Sequence, residues 1–157
     1  MGYPWRLLIV VLTVSGCVAD SERGRSQQVS EIEKRMVKQD VDKGVVAERL
    51  LQEANNARMV GDTYLAIDYT KRAKYYTPES PVIWFQLAQL YLQQGRYKEA
   101  EASALRTIRY SNNSTQIQAK GWRLIEQSRL LLGREDRAQY AGTRAAELER
   151  EQVFFKD

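Results

Sequence analysis

The sequence predicts an all-α chain of antiparallel helix hairpins stacked about three deep, on three observations. Between Trp84 and Tyr110 apolar residues recur at steps of three and four. Trp84, Leu87, Ala88 and Tyr91 share one helical face, Gly95 interrupts it, and Tyr97, Ala100 and Ala104 restart the period on a second helix. The interruption itself recurs: Gly61 precedes Gly95 by 34 residues and Gly133 follows it by 38, and each glycine has an alanine five residues on, at Ala66, Ala100 and Ala138. Trp84 returns 38 residues later as Trp122. A lone hairpin cannot bury its apolar stripe, so the copies must stack.

The spacing resembles the tetratricopeptide repeat (TPR), whose period is about 34 residues and whose pattern runs Trp-x2-Leu-Gly-x2-Tyr, then Ala-x3-Phe, then Pro. Trp84, Leu87, Ala88, Tyr91, Ala100 and Ala104 match it closely. The first copy is looser, with Leu50 at the Trp position, Glu53 at the Leu position and Ala54 and Ala57 following, but Ala66, Ala73 and the closing Pro78 fit. In the third, Trp122, Ile125, Ala138 and Ala145 fit while Glu126, Arg129 and Gly142 depart. The resemblance spans residues 47–147 and implies an all-α TPR solenoid of about three repeats.

Ahead of the repeats, residues 1–16 carry one cation, Arg6, and an apolar run from Leu7 to Val14, too short to span a bilayer comfortably and ending in small residues as a secretory signal does. Val14, Ser15, Gly16 and Cys17 then resemble the bacterial lipobox. That resemblance implies cleavage before Cys17, diacylglycerol on its thiol and an acyl chain on the new amine, more than the two signals that stable anchoring needs. The alternatives are an uncleaved anchor and an ordinary signal beside a stray cysteine. Cys17 is the sole cysteine, so no intramolecular disulfide forms. Val18, not Asp, follows it, which in lipoproteins of enteric-type bacteria implies the outer membrane.

Residues 17–30 read as the lipidated cysteine and a polar, flexible tether, whose Ala19 to Ser30 stretch spans on the order of 40 Å when extended at about 3.3 to 3.6 Å per residue. Residues 31–44 predict a leading helix with Ile32, Met36 and Val37 on one side. The repeat domain, 45–157, opens with a hairpin from Val45 to Tyr76. Ser80 and Pro81 start the second hairpin, the serine as a cap and the proline where a missing N–H costs nothing. SNNST then lengthens the period, with Ser114 as a cap for a third hairpin from Thr115 to Arg150. Its charged tail predicts the polar outer face of a terminal repeat, and Phe154 and Phe155 are placed to cover the end of the stack or to seam two copies.

Composition argues for binding over catalysis. The chain carries 24 Lys and Arg against 20 Asp and Glu, a net +4 that signal cleavage would lower to +3, and the charges are interspersed, so no nucleic-acid partner is implied. It has no histidine, and its one cysteine is committed to the anchor, so nucleophile–base pairs and ordinary zinc sites lack their residues. No cofactor or metal is expected beyond the lipid on Cys17. Glu99 with Glu101, and Glu147 with Glu149 and Glu151, read as solvated surface rather than paired catalytic carboxylates.

In the TPR family the first helix of each hairpin lines a concave groove. Carrying that phase over places Leu51, Asn55 and Arg58, with Glu48, in the groove from the first copy. The second contributes Phe85 and Gln89, with Val82 and Leu92, and the third Lys120, Arg123 and Gln127, with Leu130. The amides suit an extended peptide backbone, Phe85 an apolar side chain, and the two cations a carboxylate. The layout is similar to carboxylate-clamp repeats but departs at Leu51 and Phe85. The implied function is a non-enzymatic adaptor, anchored in the outer membrane and facing the periplasm. It resembles repeat lipoproteins that activate a peptidoglycan synthase, with pilotins that escort a secretin as the alternative. A self-associating structural protein and a carboxylate-only enzyme are the other two readings.

Overall fold

The computed structural model describes the backbone of residues 17–154 and the side chains of residues 30–151. The predicted signal 1–16, with Val14, Ser15 and Gly16, and the side chains of Cys17, Phe154 and Phe155 lie outside the described residues. Six helices follow one another: α1 (Cys17–Met59), α2 (Thr63–Tyr76), α3 (Pro81–Gln93), α4 (Tyr97–Arg109), α5 (Thr115–Leu131) and α6 (Glu135–Phe154). No strand occurs among the described residues, and the predicted hairpin solenoid is the fold.

The chain divides into two units, residues 1–41 and 42–157. In the first, helix α1 runs through the segment expected to be a flexible tether and joins it to the leading helix. The physical reason is compositional. Residues 18–30 hold no proline and one glycine, Gly24, and their Glu, Arg and Gln are good helix formers. From Ser30 to Val41 every side chain is exposed, Ile32, Met36 and Val37 included.

In the second unit the three glycines each close a helix in the same way. Gly61, Gly95 and Gly133 have φ of 85, 72 and 68°, a left-handed conformation that costs glycine little. After each, an N–H reaches back five residues: Asp62 to Ala57 O at 2.9 Å, Arg96 to Tyr91 O at 2.9 Å, and Arg134 to Arg129 O at 2.9 Å. These are Schellman closures, and their repetition makes the hairpins superimposable in kind. Asp62 accepts from Leu65 N at 2.9 Å and Ser114 from Ile117 N at 3.4 Å, so both cap as side chains do. Ser80, expected to cap α3, makes no side-chain bond there; Pro81 at the first turn begins the helix without it. In the inserted SNNST, Asn112 and Asn113 take positive φ of 50 and 63°, conformations asparagine tolerates best after glycine.

Helices α2 to α6 pack in chain order, with α3 also reaching α5. One core cluster joins α1 to α4 through Leu50, Ala66, Ile83, Leu87 and Ala100, and a second joins α3 to α6 through Ala88, Ala104, Ile125 and Ala141. Small residues set the closest approaches. A Cβ on Gly121 would stand 2.6 Å from Ile108 Cγ1 and 3.3 Å from the Ala104 carbonyl, so α5 lies against α4 only because this residue has no side chain. Buried hydroxyls stay satisfied locally, Thr70 donating to Ala66 O at 2.7 Å and Ser128 to Leu124 O at 2.7 Å.

Of the aromatics expected in the core, Tyr91 is buried but Trp84, Trp122 and Tyr97 are only half-buried. The indole Nε1–H of Trp84 donates to Pro78 O at 2.7 Å, and its ring stacks near Tyr110 with centroids 6.5 Å apart. A ring with a polar edge to satisfy sits where a loop carbonyl can meet it, at the rim of the core.

Candidate functional site

The groove-facing residues divide by repeat. Phe85 on α3 and Lys120, Arg123 and Gln127 on α5 line one cavity of about 330 Å³, together with Gln116, Ala119, Leu124 and Glu149 of α6. Pro81, Val82, Phe85, Ile117 and Lys120 line an adjoining apolar cleft of about 190 Å³. Gln89, Leu92 and Gln127 line a third of about 270 Å³ that shares Leu124 with the first. Five predicted residues, Phe85, Gln89, Lys120, Arg123 and Gln127, therefore lie along one run of surface.

Leu51, Asn55 and Arg58 do not line these cavities. Leu51 is partly buried against the first core cluster, so it packs instead of projecting. Asn55 Oδ1 accepts from Gln86 Nε2 at 3.1 Å, and Gln86 is itself buried. This amide pair joins α1 to α3 and draws Asn55 out of the expected amide row. Arg58 is exposed at the end of α1.

Arg123 does not present a free cation. Its Nε and Nη2 hold Glu149 at 3.0 and 2.6 Å, a bidentate pair, and its Nη1 holds Glu126 at 3.1 Å. Bonding to Glu149 first, then Glu126, raises the affinity of the guanidinium for its proton, and the same contact lowers the Glu149 carboxyl below its usual range. Lys120 is exposed and has no ion-pair partner among the described residues, so it supplies the unmatched positive charge of the cavity. The i,i+3 pairing of Arg123 with Glu126 is legible in the sequence. Glu149 is not, because it comes from the antiparallel partner helix.

Four of the five carboxylates read as plain surface have partners, Glu149 through Arg123 as above. Glu101 is mostly buried, its oxygens taken by Arg129 Nε at 2.7 Å and Arg134 Nη1 at 3.3 Å. Glu99 pairs with Arg96 at 2.9 Å and Glu147 with Arg144 at 2.5 Å. Among the described residues no cluster of His, Cys, Asp and Glu is placed to hold a metal ion, and no helix is long and apolar enough to cross a membrane.

Three stacked hairpins, closed by the same glycine turn and carrying an open groove along α3 and α5, define a tetratricopeptide-type helical repeat domain. It is similar to the solved globular C-terminal domain of LpoP from P. aeruginosa. The identity is 32% and the TM-score 0.62, over 64% of this chain and 95% of that one. The chain belongs to the family of that domain. No family model and no curated protein matches it.

Proposed function

We propose that this protein is a lipid-anchored adaptor of the outer membrane that faces the periplasm and regulates a peptidoglycan synthase by holding one of its segments in the α3–α5 groove. The observation that carries the reading is the likeness to the LpoP domain, which favours the synthase regulator over the pilotin. The groove supports it chemically: an apolar cleft at Val82, Phe85 and Ile117, one uncompensated cation at Lys120, and the amides of Gln89 and Gln127 suit an extended peptide. Carboxylates tied up in ion pairs favour an adaptor over a catalyst. The anchor rests on the lipobox Val14, Ser15, Gly16 and Cys17.

The test is affinity capture from detergent-solubilised envelopes with a C-terminal tag, read by mass spectrometry. A penicillin-binding synthase is expected, and Phe85→Ala with Lys120→Glu should lose it while helicity is unchanged. Capture of a secretin would establish the pilotin reading, and capture of the protein's own copies alone the self-associating one. Undiminished capture of the synthase by the double variant would move the contact off the groove.

A further inference from the structure

Four arginines of the third hairpin are matched: Arg123, Arg129, Arg134 and Arg144 each touch a carboxylate. A different arrangement holds around Trp84. Lys74 Nζ lies 5.2 Å from the centre of its ring and Arg106 Cζ 4.7 Å, one cation from α2 and one from α4. The two charges are therefore no more than about 10 Å apart, roughly one screening length at 0.1 M salt. Neither has an ion pair among the described residues. At helical steps of three and four Lys74 meets Thr70, Lys71, Thr77 and Pro78, and Arg106 meets Ala102, Ser103, Arg109 and Tyr110, none of them acidic. Asp68 and Glu79, the acids nearest to Lys74 along the chain, form no ion pair with it, and Glu101, the acid nearest to Arg106, is taken by Arg129 and Arg134.

The ring beneath is fixed. Its Nε1–H is committed to Pro78 O at 2.7 Å, and Tyr110 stacks beside it. Cation–π attraction holds both cations against the ring, and it does not cancel their mutual repulsion. Lys71 and Arg109 stand one turn away on the same two helices and add to the positive charge on these faces.

We propose that this Lys74–Trp84–Arg106 shelf is a second docking surface, which binds an acidic segment of a protein partner through its side-chain carboxylates. An anion set between the two cations removes their repulsion and gains charge-assisted hydrogen bonds from donors already positioned. A protein segment suits the surface better than a lipid bilayer, because the aromatic at its centre, Trp84, lies under the cations with its polar edge already bonded. The surface shares no residue with the groove, and the inference stands whichever partner the groove takes.

The test uses the full chain and fluorescein-labelled hexaglutamate, read by anisotropy at low and at physiological salt. Binding that weakens with salt is expected, and Lys74→Glu with Arg106→Glu should weaken it about tenfold, the worth of two exposed ion pairs. Lys74→Gln with Arg106→Gln should move in the same direction, which guards against misfolding of the reversal variant. Lys98→Glu with Arg137→Glu changes the net charge equally elsewhere and should lose less. Equal loss in that control, or undiminished binding by both shelf variants, would overturn the proposal. So would binding to phosphatidylglycerol–phosphatidylcholine vesicles without binding to hexaglutamate.

Discussion

The second and third hairpins have the same geometry and are held by different chemistry. In the second, α3 meets α4 through alanines, Ala88 and Ala104, and Tyr91 fills the pattern's aromatic position. The third has Glu126 where Ala88 stands, Gly142 where Ala104 stands and Arg129 where Tyr91 stands, each 38 residues on. These departures are complementary. A Cβ on Gly142 would collide with the Glu126 carboxylate, so the glycine makes room for the larger residue opposite. Arg129, in place of a ring, reaches Glu101 on α4 at 2.7 Å and donates to Arg137 O at 3.0 Å. A contact that was apolar and local becomes directional and joins two repeats. Deviations from a repeat pattern are thus to be read in pairs.

The apolar residues that the two hairpins share should matter most. Leu87 and Ile125 occupy equivalent positions and are both fully buried. Leu87→Ala and Ile125→Ala are each expected to cost about 2 to 5 kcal/mol, by burial lost and cavity left. Urea denaturation at constant m measures it. A markedly smaller loss at Ile125 would show that the polar contacts of the third hairpin have taken over the work of its core.

Next in size is the charge that bridges the repeats. Glu101→Gln leaves Arg129, mostly buried, without its counter-charge, at an expected cost of about 1 to 3 kcal/mol. Adding Arg129→Met removes the stranded cation and should recover part of that loss. If the double variant is no more stable than Glu101→Gln alone, Arg129 is not stranded and the bridge is ornamental.

The periodicity of glycine and alanine made the hairpins and their turns legible, because a left-handed helix closure nearly demands glycine and a close helix contact demands small residues. The groove was legible in part. Phe85, Gln89, Lys120, Arg123 and Gln127 project as their helical phase requires. Leu51 and Asn55 were less legible: whether Leu51 packs and whether Asn55 is captured depend on what the next helix brings, here the core and Gln86. The pairing of Arg123 with Glu149 was hidden for the same reason, since 26 residues and a turn separate them. The tether was misread because polarity signals the absence of a core, not the absence of a helix.

Gly142 sharpens the comparison at smaller scale. Alanine there should gain up to about 1 kcal/mol in helix propensity but must displace the Glu126 carboxylate. Gly142→Ala is expected to be neutral or mildly destabilising alone and stabilising in a Glu126→Ala background. Equal effects in both backgrounds would show that the two residues are not coupled.

The smallest expected effect lies at the mouth of the groove. Arg123 and Glu149 are exposed enough that Arg123→Gln should cost less than about 1 kcal/mol at neutral pH. Arg123 holds the Glu149 carboxyl below its ordinary value of 4.5 in the folded protein, and unfolding restores that value. The pair therefore adds stability above pH 4.5 and loses it as pH falls through the lowered folded value, when the carboxylate takes up its proton. Melting of parent and Arg123→Gln should accordingly differ at pH 7, converge in acid, and draw together at neutral pH when salt is raised. A difference that persisted unchanged into acid would mean that Arg123 stabilises α5 against α6 by packing its stem, not by its charge.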